Sequence, residues 1–278
     1  MSPARRFSID DEPHLAVRSV ACDYGSGTVI GRHAHAFGQL LYATSGAMSV
    51  QAAHGSWIVP PGKAVLIPAG SWHSVRMWGR VEMRSLVFPS DREGLLGAAV
   101  GGGGDARCRV ISVSPLLREL ILRAVELRAL DVRNGPERRL LEVLADELRE
   151  AATLPLELPL PAHRQARSVA QWVLARPGDP STLDVLARRA GAGRRTIERA
   201  FRHETGLSFG LWRQKARLLH AVRLLSEGAS VTDAALDTGY SSVSAFIATF
   251  RDTFGFTPGK LSAARGGDSR LRGTDSGA

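Results

Sequence analysis

Two groups of residues in this 278-residue chain have types and spacings that can do chemistry. Arg195, Glu198, Arg199 and Arg202 are spaced i, i+3, i+4, i+7, so a helix through them carries all four on one face, opposite Ile197, Ala200 and Phe201. An Arg guanidinium is a planar fork that matches O6 and N7 of guanine. Glu198 either accepts from cytosine N4 or orients a neighbouring Arg. Arg194, at the start of the same helix, is placed for a backbone phosphate. The second group is His33, His35 and His73. His33 and His35 are two apart, so on a strand both point to one face. Three neutral imidazoles suit Zn, Ni, Cu or Fe, with Gln39 as a weak oxygen ligand. The same three residues can instead line a metal-free effector pocket or be structural.

The charge distribution says which chemistry each group serves. Residues 1–162 carry 18 Lys and Arg against 17 Asp and Glu, whereas residues 163–265 carry 16 against 8. Nearly all the net +9 therefore sits with the Arg cluster, and a basic segment beside a neutral one points to a polyanion. No apolar run is long enough to span a bilayer. Met1 to Pro13 lacks the apolar core of a signal peptide. Cys22 and Cys108 are too few for a disulfide framework or a Cys-based zinc site. A cytoplasmic chain with no membrane partner is the expectation.

The basic segment repeats itself. Ala187 and Gly191 recur 48 residues later as Ala235 and Gly239, while Ile197, Phe201 and Gly206 recur 49 residues later as Phe246, Phe250 and Gly255. The one-residue slip falls in the turn, so each copy reads as helix, Gly turn, helix. Ser230 and Asp233 form a capping box for the third of these helices. Between the copies, Ser208 to Glu227 reads as one helix ending at Gly228; at 1.5 Å per residue it is a rod of ~30 Å. Adjacent major grooves on one side of a duplex are ~34 Å apart, so the rod can place a recognition helix in each. The 49-residue offset transfers the reading face to Ser244, Ile247, Ala248 and Arg251, with Ser242 at the start of that helix. These residues offer hydroxyl and methyl contacts and one fork, so the first helix should read sequence more strongly than the second.

From Ser181 to Leu261 the chain resembles the DNA-binding domain of AraC/XylS transcription regulators. The resemblance rests on Gly239-Tyr240, Ser244-Ala245-Phe246, Phe250-Arg251 and Phe254-Gly255-Phe256-Thr257-Pro258 in particular. Leu261 departs from it, where many members have Tyr. The resemblance implies that both recognition helices enter the major groove of double-stranded promoter DNA, with RNA polymerase as a further candidate partner.

The elements that position the His residues come first in the chain. Residues 15–90 alternate short apolar stretches (Gln39–Tyr42, Met48–Gln51, Ser56–Val59, Ala64–Ile67) with Gly and Pro, which predicts short strands in a sandwich or barrel. The segments "GRHAHAFGQLLYATSG" and "PPGKAVLIPAGSWHSV" resemble the two half-motifs of the cupin barrel. Gln39 departs from that pattern, because it stands near the usual Glu ligand. Two helices follow. One opens at Ser114-Pro115 with Leu116, Leu117, Leu120, Ile121, Ala124 and Leu127 on its apolar face. The other follows Gly135-Pro136 with Leu140, Leu141, Leu144, Ala145 and Leu148 aligned. The pair either caps the barrel or forms the seam of a homodimer. Pro155, Pro159 and Pro161 then suggest a stiff linker, and Gly101–Gly104 a flexible joint.

The expected fold class is therefore multi-domain α and β. A cupin-like sensor barrel (1–110) and a short helical connector (111–162) precede an all-α domain with two helix-turn-helix motifs (163–265) and a disordered tail (266–278). The function expected is sequence-specific transcription regulation, controlled by a small molecule or metal in the barrel. The contrasting reading is a cupin metalloenzyme fused to a DNA-binding module. A sensor explains both halves, whereas a catalyst explains one. The combination of His-x-His barrel and this C-terminal domain is similar to a subgroup that includes a regulator of nitroimidazole efflux.

Overall fold

A computed structural model describes residues 14–52, 55–89, 108–259 and 261; the Gly101–Gly104 joint and the 266–278 tail lie outside them. The first part is an antiparallel sheet built around two long strands, β3 (Phe37–Ala52) and β6 (His73–Pro89). On β6 lie β1 (Leu15–Tyr24) and β2 (Val29–His33). On β3 lie β4 (Gly55–Val59) and β5 (Lys63–Ile67). The expectation of uniformly short strands is corrected here. Gln39–Tyr42 and Met48–Gln51 belong to one strand, because Gly46 (φ +69°) bends β3 without ending it. A Cβ on Gly46 would lie 2.4 Å from the Arg80 carbonyl oxygen, so only glycine fits.

Alternation explains why some stretches of these strands are apolar throughout. Leu41, Ala43, Val65 and Ile67 point into the barrel, while Leu40, Tyr42, Ala64 and Leu66 point out. The outer set is covered by α1 (Pro115–Leu127) and α2 (Gly135–Glu150), which bury Leu117, Ile121, Ala124, Leu141, Leu144, Ala145 and Leu148 against it. Ser114 caps α1 by accepting from the Leu117 N–H at 3.0 Å. Leu120, Leu127 and Leu140 of the assigned faces are partly buried, and Leu116 is 51% exposed, because it sits to one side of the Leu117–Ile121–Ala124 stripe.

The segment read as a connector is stitched into the barrel sheet. β7 (Arg109–Ser112) pairs with β5 and β8 (Ala129–Asp131) with β1. The Pro-containing stretch expected as a stiff linker forms β9 (Thr153–Leu154) on β7 and β10 (Glu157–Pro159) on β4. Proline is tolerated there because these are edge strands.

The remaining described chain is helical: α3 (Arg164–Ala175), α4 (Leu183–Arg189), α5 (Arg194–Thr205), α6 (Phe209–Glu227), α7 (Val231–Asp237) and α8 (Val243–Phe254). The helix bounds repeat at the spacing of the sequence: α4 and α7 differ by 48 residues, α5 and α8 by 49. The buried Ile197 and Phe201 of the first copy correspond to Phe246 and Phe250 of the second. Among the described residues no helix is long and apolar enough to cross a membrane.

Candidate nucleic-acid interface and histidine cluster

The first copy presents its recognition helix on a frame set by its turns. Gly191 (φ +68°) reverses the chain between α4 and α5, and Gly206 (φ +72°) closes α5. With Ile197, Ala200 and Phe201 buried, the opposite face of α5 is left to Arg194, Arg195, Arg199 and Arg202, all exposed. Sequence reasoning missed His203, which extends this cationic face by one position and lies i+4 from Arg199. Glu198 is held back from the surface. Its Oε1 accepts from the Phe209 N–H at 3.4 Å, at the start of α6, and lies 3.6 Å from Arg202 Nε. That geometry favours orientation of Arg202 over a base contact. Arg194 pairs with Asp184 of α4 at 2.9 Å, an exposed pair that holds the side chain beside the helix start.

The start of α5 is electrostatically unusual. Its N-cap is Gly193, which has no side chain to satisfy the first N–H groups, and the first two residues are Arg. Thr196 N–H turns back on Gly193 O at 3.0 Å, so the N–H groups of Arg194 and Arg195, the positive end of the helix dipole and the two cations are what would attract an anion such as a phosphate.

The second recognition helix has the same frame and a different face. Gly239 (φ +80°) and Gly255 (φ +76°) occupy the positions of Gly191 and Gly206. Ser244, Ile247, Ala248 and Arg251 are exposed. Ser242 caps α8, accepting from the Ala245 N–H at 3.3 Å. α6 runs 19 residues between the two copies, close to the ~30 Å rod anticipated.

Not all of the basic charge faces outward. Arg213 donates to the carbonyls of Ser181 and Asp179, and Arg217 donates to Pro177 O at 2.8 Å. These two side chains satisfy carbonyls in the turn between α3 and α4. Lys215 is half-buried and pushed below its ordinary pKa by burial.

The barrel brings the three His residues together. Their ring nitrogens lie within 4.8 Å of one another, on β2, the loop after it and the start of β6. Each Nδ1 sits on a nearby backbone oxygen: His33 on Gly31 O at 2.9 Å, His35 on Phe37 O at 2.7 Å and His73 on Ser71 O at 2.8 Å. A ring that donates from Nδ1 keeps its Nε2 lone pair for a metal, an arrangement open to His33 and His73; His35 has an oxygen at each ring nitrogen, so its Nε2 becomes a ligand only when Gln39 Oε1 turns away from it. His73 Nε2 is buried without a hydrogen-bond partner among the described residues. Burial first, then the neighbouring imidazoles, pushes the His73 pKa down to about 4, so the ring is neutral at pH 7. Burial also lowers His35. Gln39 Oε1 lies 2.9 Å from His35 Nε2, and its amide nitrogen donates to Ser85 Oγ at 2.9 Å. Phe37, stacked on His35 with ring centres 4.0 Å apart, and Ser85 position this cluster without any mark in the local sequence.

Comparison with known proteins agrees with both halves. Residues 20–149 match an AraC-like ligand binding domain and residues 186–264 a helix-turn-helix domain. The chain is 32% identical over 231 residues to the HTH-type transcriptional regulator NimR of Escherichia coli (strain K12), covering 83% of this chain and 81% of that protein. It is 38% identical over 100 residues to the HTH-type transcriptional regulator RipA of Corynebacterium glutamicum, covering 36% of this chain and 30% of that one. Among solved structures, the DNA-binding domain of AdpA in complex with a target DNA is 34% identical, covers 36% of this chain and 91% of that one, and has a TM-score of 0.34.

Proposed function

This chain belongs to the AraC family of transcription regulators, with an N-terminal ligand-binding domain and a C-terminal DNA-binding domain, and from that premise we propose how each half works. The two recognition helices enter adjacent major grooves of double-stranded promoter DNA from one side. Arg195 and Arg199 read guanine and Arg202 supports them, positioned by Glu198. Arg194 and the uncapped start of α5 hold a phosphate. Ser242, Ser244, Ile247, Ala248 and Arg251 make the weaker contacts of the second groove. The chain acts in the cytoplasm as a homodimer, regulates transcription alongside RNA polymerase and has no catalytic role. The observation that carries this reading is the pair of equivalent helix-turn-helix copies on one 19-residue rod, with three exposed Arg on the first reading face and a fourth, Arg194, at its start. Footprinting of the full chain on the DNA flanking its own gene tests it. Each protomer should protect two major-groove windows one helical turn apart, with affinity falling steeply as salt rises. A single window, or binding indifferent to salt, would overturn the proposal.

The barrel is the sensing element. The donor set fits a divalent metal: three imidazoles with Nδ1 on backbone oxygens, an orphaned His73 Nε2, and a Gln39 oxygen already beside His35 Nε2. His33, His35 and His73 would hold Zn, Ni, Cu or Fe, with Gln39 alongside, and the ion would supply a fixed positive charge that recognises an oxygen-bearing effector. Metal analysis of protein purified without chelator tests this. Stoichiometric metal should be present, and His33→Ala, His35→Ala and His73→Ala should each lower it with the fold intact. No metal in the wild type, or full metal in the triple variant, leaves the same residues as the polar lining of a metal-free effector pocket.

A further inference from the structure

A cavity of about 380 Å³ lies away from the His cluster, between the outer face of the barrel and the helices α3 and α6. That volume is in the range of small-molecule sites, and domain interfaces are where such sites concentrate. Its walls differ in character. The barrel contributes Ser49, Gln51 and Ser56, which share one face because Gln51 pairs with Ser56 across β3 and β4. Gln51 is exposed and Ser56 half-buried, and among the described residues neither side chain has a hydrogen-bond partner, so both face solvent at the cavity. The opposite, helical wall is apolar: Leu219 is buried at its base and Leu174 is left 37% exposed at its rim, while Leu158 of β10, the register partner of Ser56, adds a buried apolar patch to the barrel wall.

The charge of the cavity is balanced internally. Arg223 reaches it, yet its guanidinium lies 4.6 Å from the Trp78 ring centre and donates to Glu227 at 2.7 Å. His220 beside it is neutral at pH 7, its pKa pushed down to about 4 by burial and then by Arg223. Glu227 already neutralises Arg223, so an anion gains little net attraction here, and a cation would meet Arg223 itself. A flat uncharged ring with an N–H beside a C=O meets both walls: its face lies on the leucines, and its lactam edge matches the unused Gln51 amide.

We infer that this cavity is a ligand site, distinct from the His cluster, for flat, uncharged heteroaromatic compounds with an amide-like edge, and that Gln51 is its recognition residue. Because its walls come from both halves of the chain, an occupied site ties the sensor barrel to the DNA-binding helices.

The test uses the full chain and 2-quinolinone, a neutral bicyclic lactam, followed by ligand-observed NMR titration. Saturable binding on the order of 0.1–1 mM is expected for a probe of this size. Gln51→Leu should weaken it by about tenfold or more, the loss of one paired amide edge. Ala175→Trp, at an exposed position on the helical wall, should block binding, and neither surface change should disturb the fold. Quinoline-2-carboxylate, of similar shape but anionic, should bind at least tenfold more weakly. No saturable binding, wild-type affinity in either variant, or tighter binding of the anion would each overturn the proposal.

Discussion

The two helix-turn-helix copies are built alike and finished differently. Their turns use glycine at matching positions, Gly191 with Gly239 and Gly206 with Gly255, all with positive φ. Their inner faces place Ile197 and Phe201 opposite Phe246 and Phe250, all fully buried. The outward faces share only Arg202 with Arg251, since Arg195 and Arg199 are replaced by Ser244 and Ala248. The helix starts differ too: α5 begins uncapped behind two Arg, whereas α8 begins under Ser242. The two copies keep the same frame and differ at the surface, and that difference is what the proposed division between strong and weak reading rests on.

The largest expected effect concerns the shared frame. Phe201→Ala and Phe250→Ala each empty a fully buried site, which costs about 3–5 kcal/mol for a Phe. Urea unfolding should show losses equal within about 1 kcal/mol, the ordinary context-dependent spread. A much smaller loss at Phe250 would break the equivalence of the two copies.

The next prediction concerns the difference between the faces. Arg195→Ala or Arg199→Ala should relax base preference in one half of the subsite by about tenfold or more, since a bidentate pair discriminates by ~1–3 kcal/mol. Ser244→Ala should change preference little in the other half. Arg194→Ala should weaken all sequences alike and lower the salt slope by about one. Base-by-base binding measurements on a mapped operator decide it. Equal loss of discrimination at both helices would erase the division of roles.

The frame was legible in the sequence and its surroundings were not, for physical reasons that differ by residue. Helix periodicity and the glycines that must adopt positive φ are local properties, so the 48- and 49-residue offsets survive into the structure. The His-x-His spacing named the residues that come together, but for the wrong reason: β2 ends at His33 and His35 lies in the following loop, so the chain's course after the strand, not a period of two, brings the rings together. Gly46 and Gly79 misled, since a glycine that bends a long strand looks the same in sequence as one that ends it. Pro155, Pro159 and Pro161 read as a spacer because nothing local says that edge strands β9 and β10 have a neighbouring strand to join. Arg213 and Arg217 read as part of a basic surface, and only the tertiary arrangement reveals which carbonyls they satisfy.

Acid should separate the copies further. His220 on α6 faces Arg223 on its own helix and Asp237 on α7, so its charge state bears on the second copy. Its folded pKa of about 4 lies below the unfolded value of about 6.5. The unfolded chain therefore takes up the proton first as pH falls. The stabilisation from keeping His220 neutral is complete above about 6.5, is lost as pH falls toward 4, and levels off below that. One such group contributes a slope of at most about 1.4 kcal/mol per pH unit. His73 contributes with the same sign, so the observable is the difference between the wild type and His220→Gln. That variant should flatten the stability profile between pH 6.5 and 4, and an unchanged slope would remove His220 from the account.

The smallest effects lie at the helix starts, and they should have opposite signs. Ser242→Ala removes a cap whose hydroxyl accepts from the Ala245 N–H, and loss of such a cap costs about 1 kcal/mol. Gly193 has an extended backbone (φ −76°, ψ 147°) and open space around its Cα, so a serine there can adopt the capping conformation without strain. Gly193→Ser should then stabilise the chain by a few tenths of a kcal/mol, the usual difference between Gly and Ser at an N-cap. The same hydroxyl would take the Thr196 N–H, which now turns back on Gly193 O, and would crowd the proposed phosphate position beside the Arg194 and Arg195 N–H groups, so DNA affinity should fall by about two- to threefold while the chain becomes more stable. Stability and affinity moving in opposite directions at residue 193 is the signature that α5 leaves its first turn open for DNA. If Gly193→Ser raised both, the uncapped start of α5 would be only an imperfect cap, and the contrast between the two copies would rest on their side-chain faces alone.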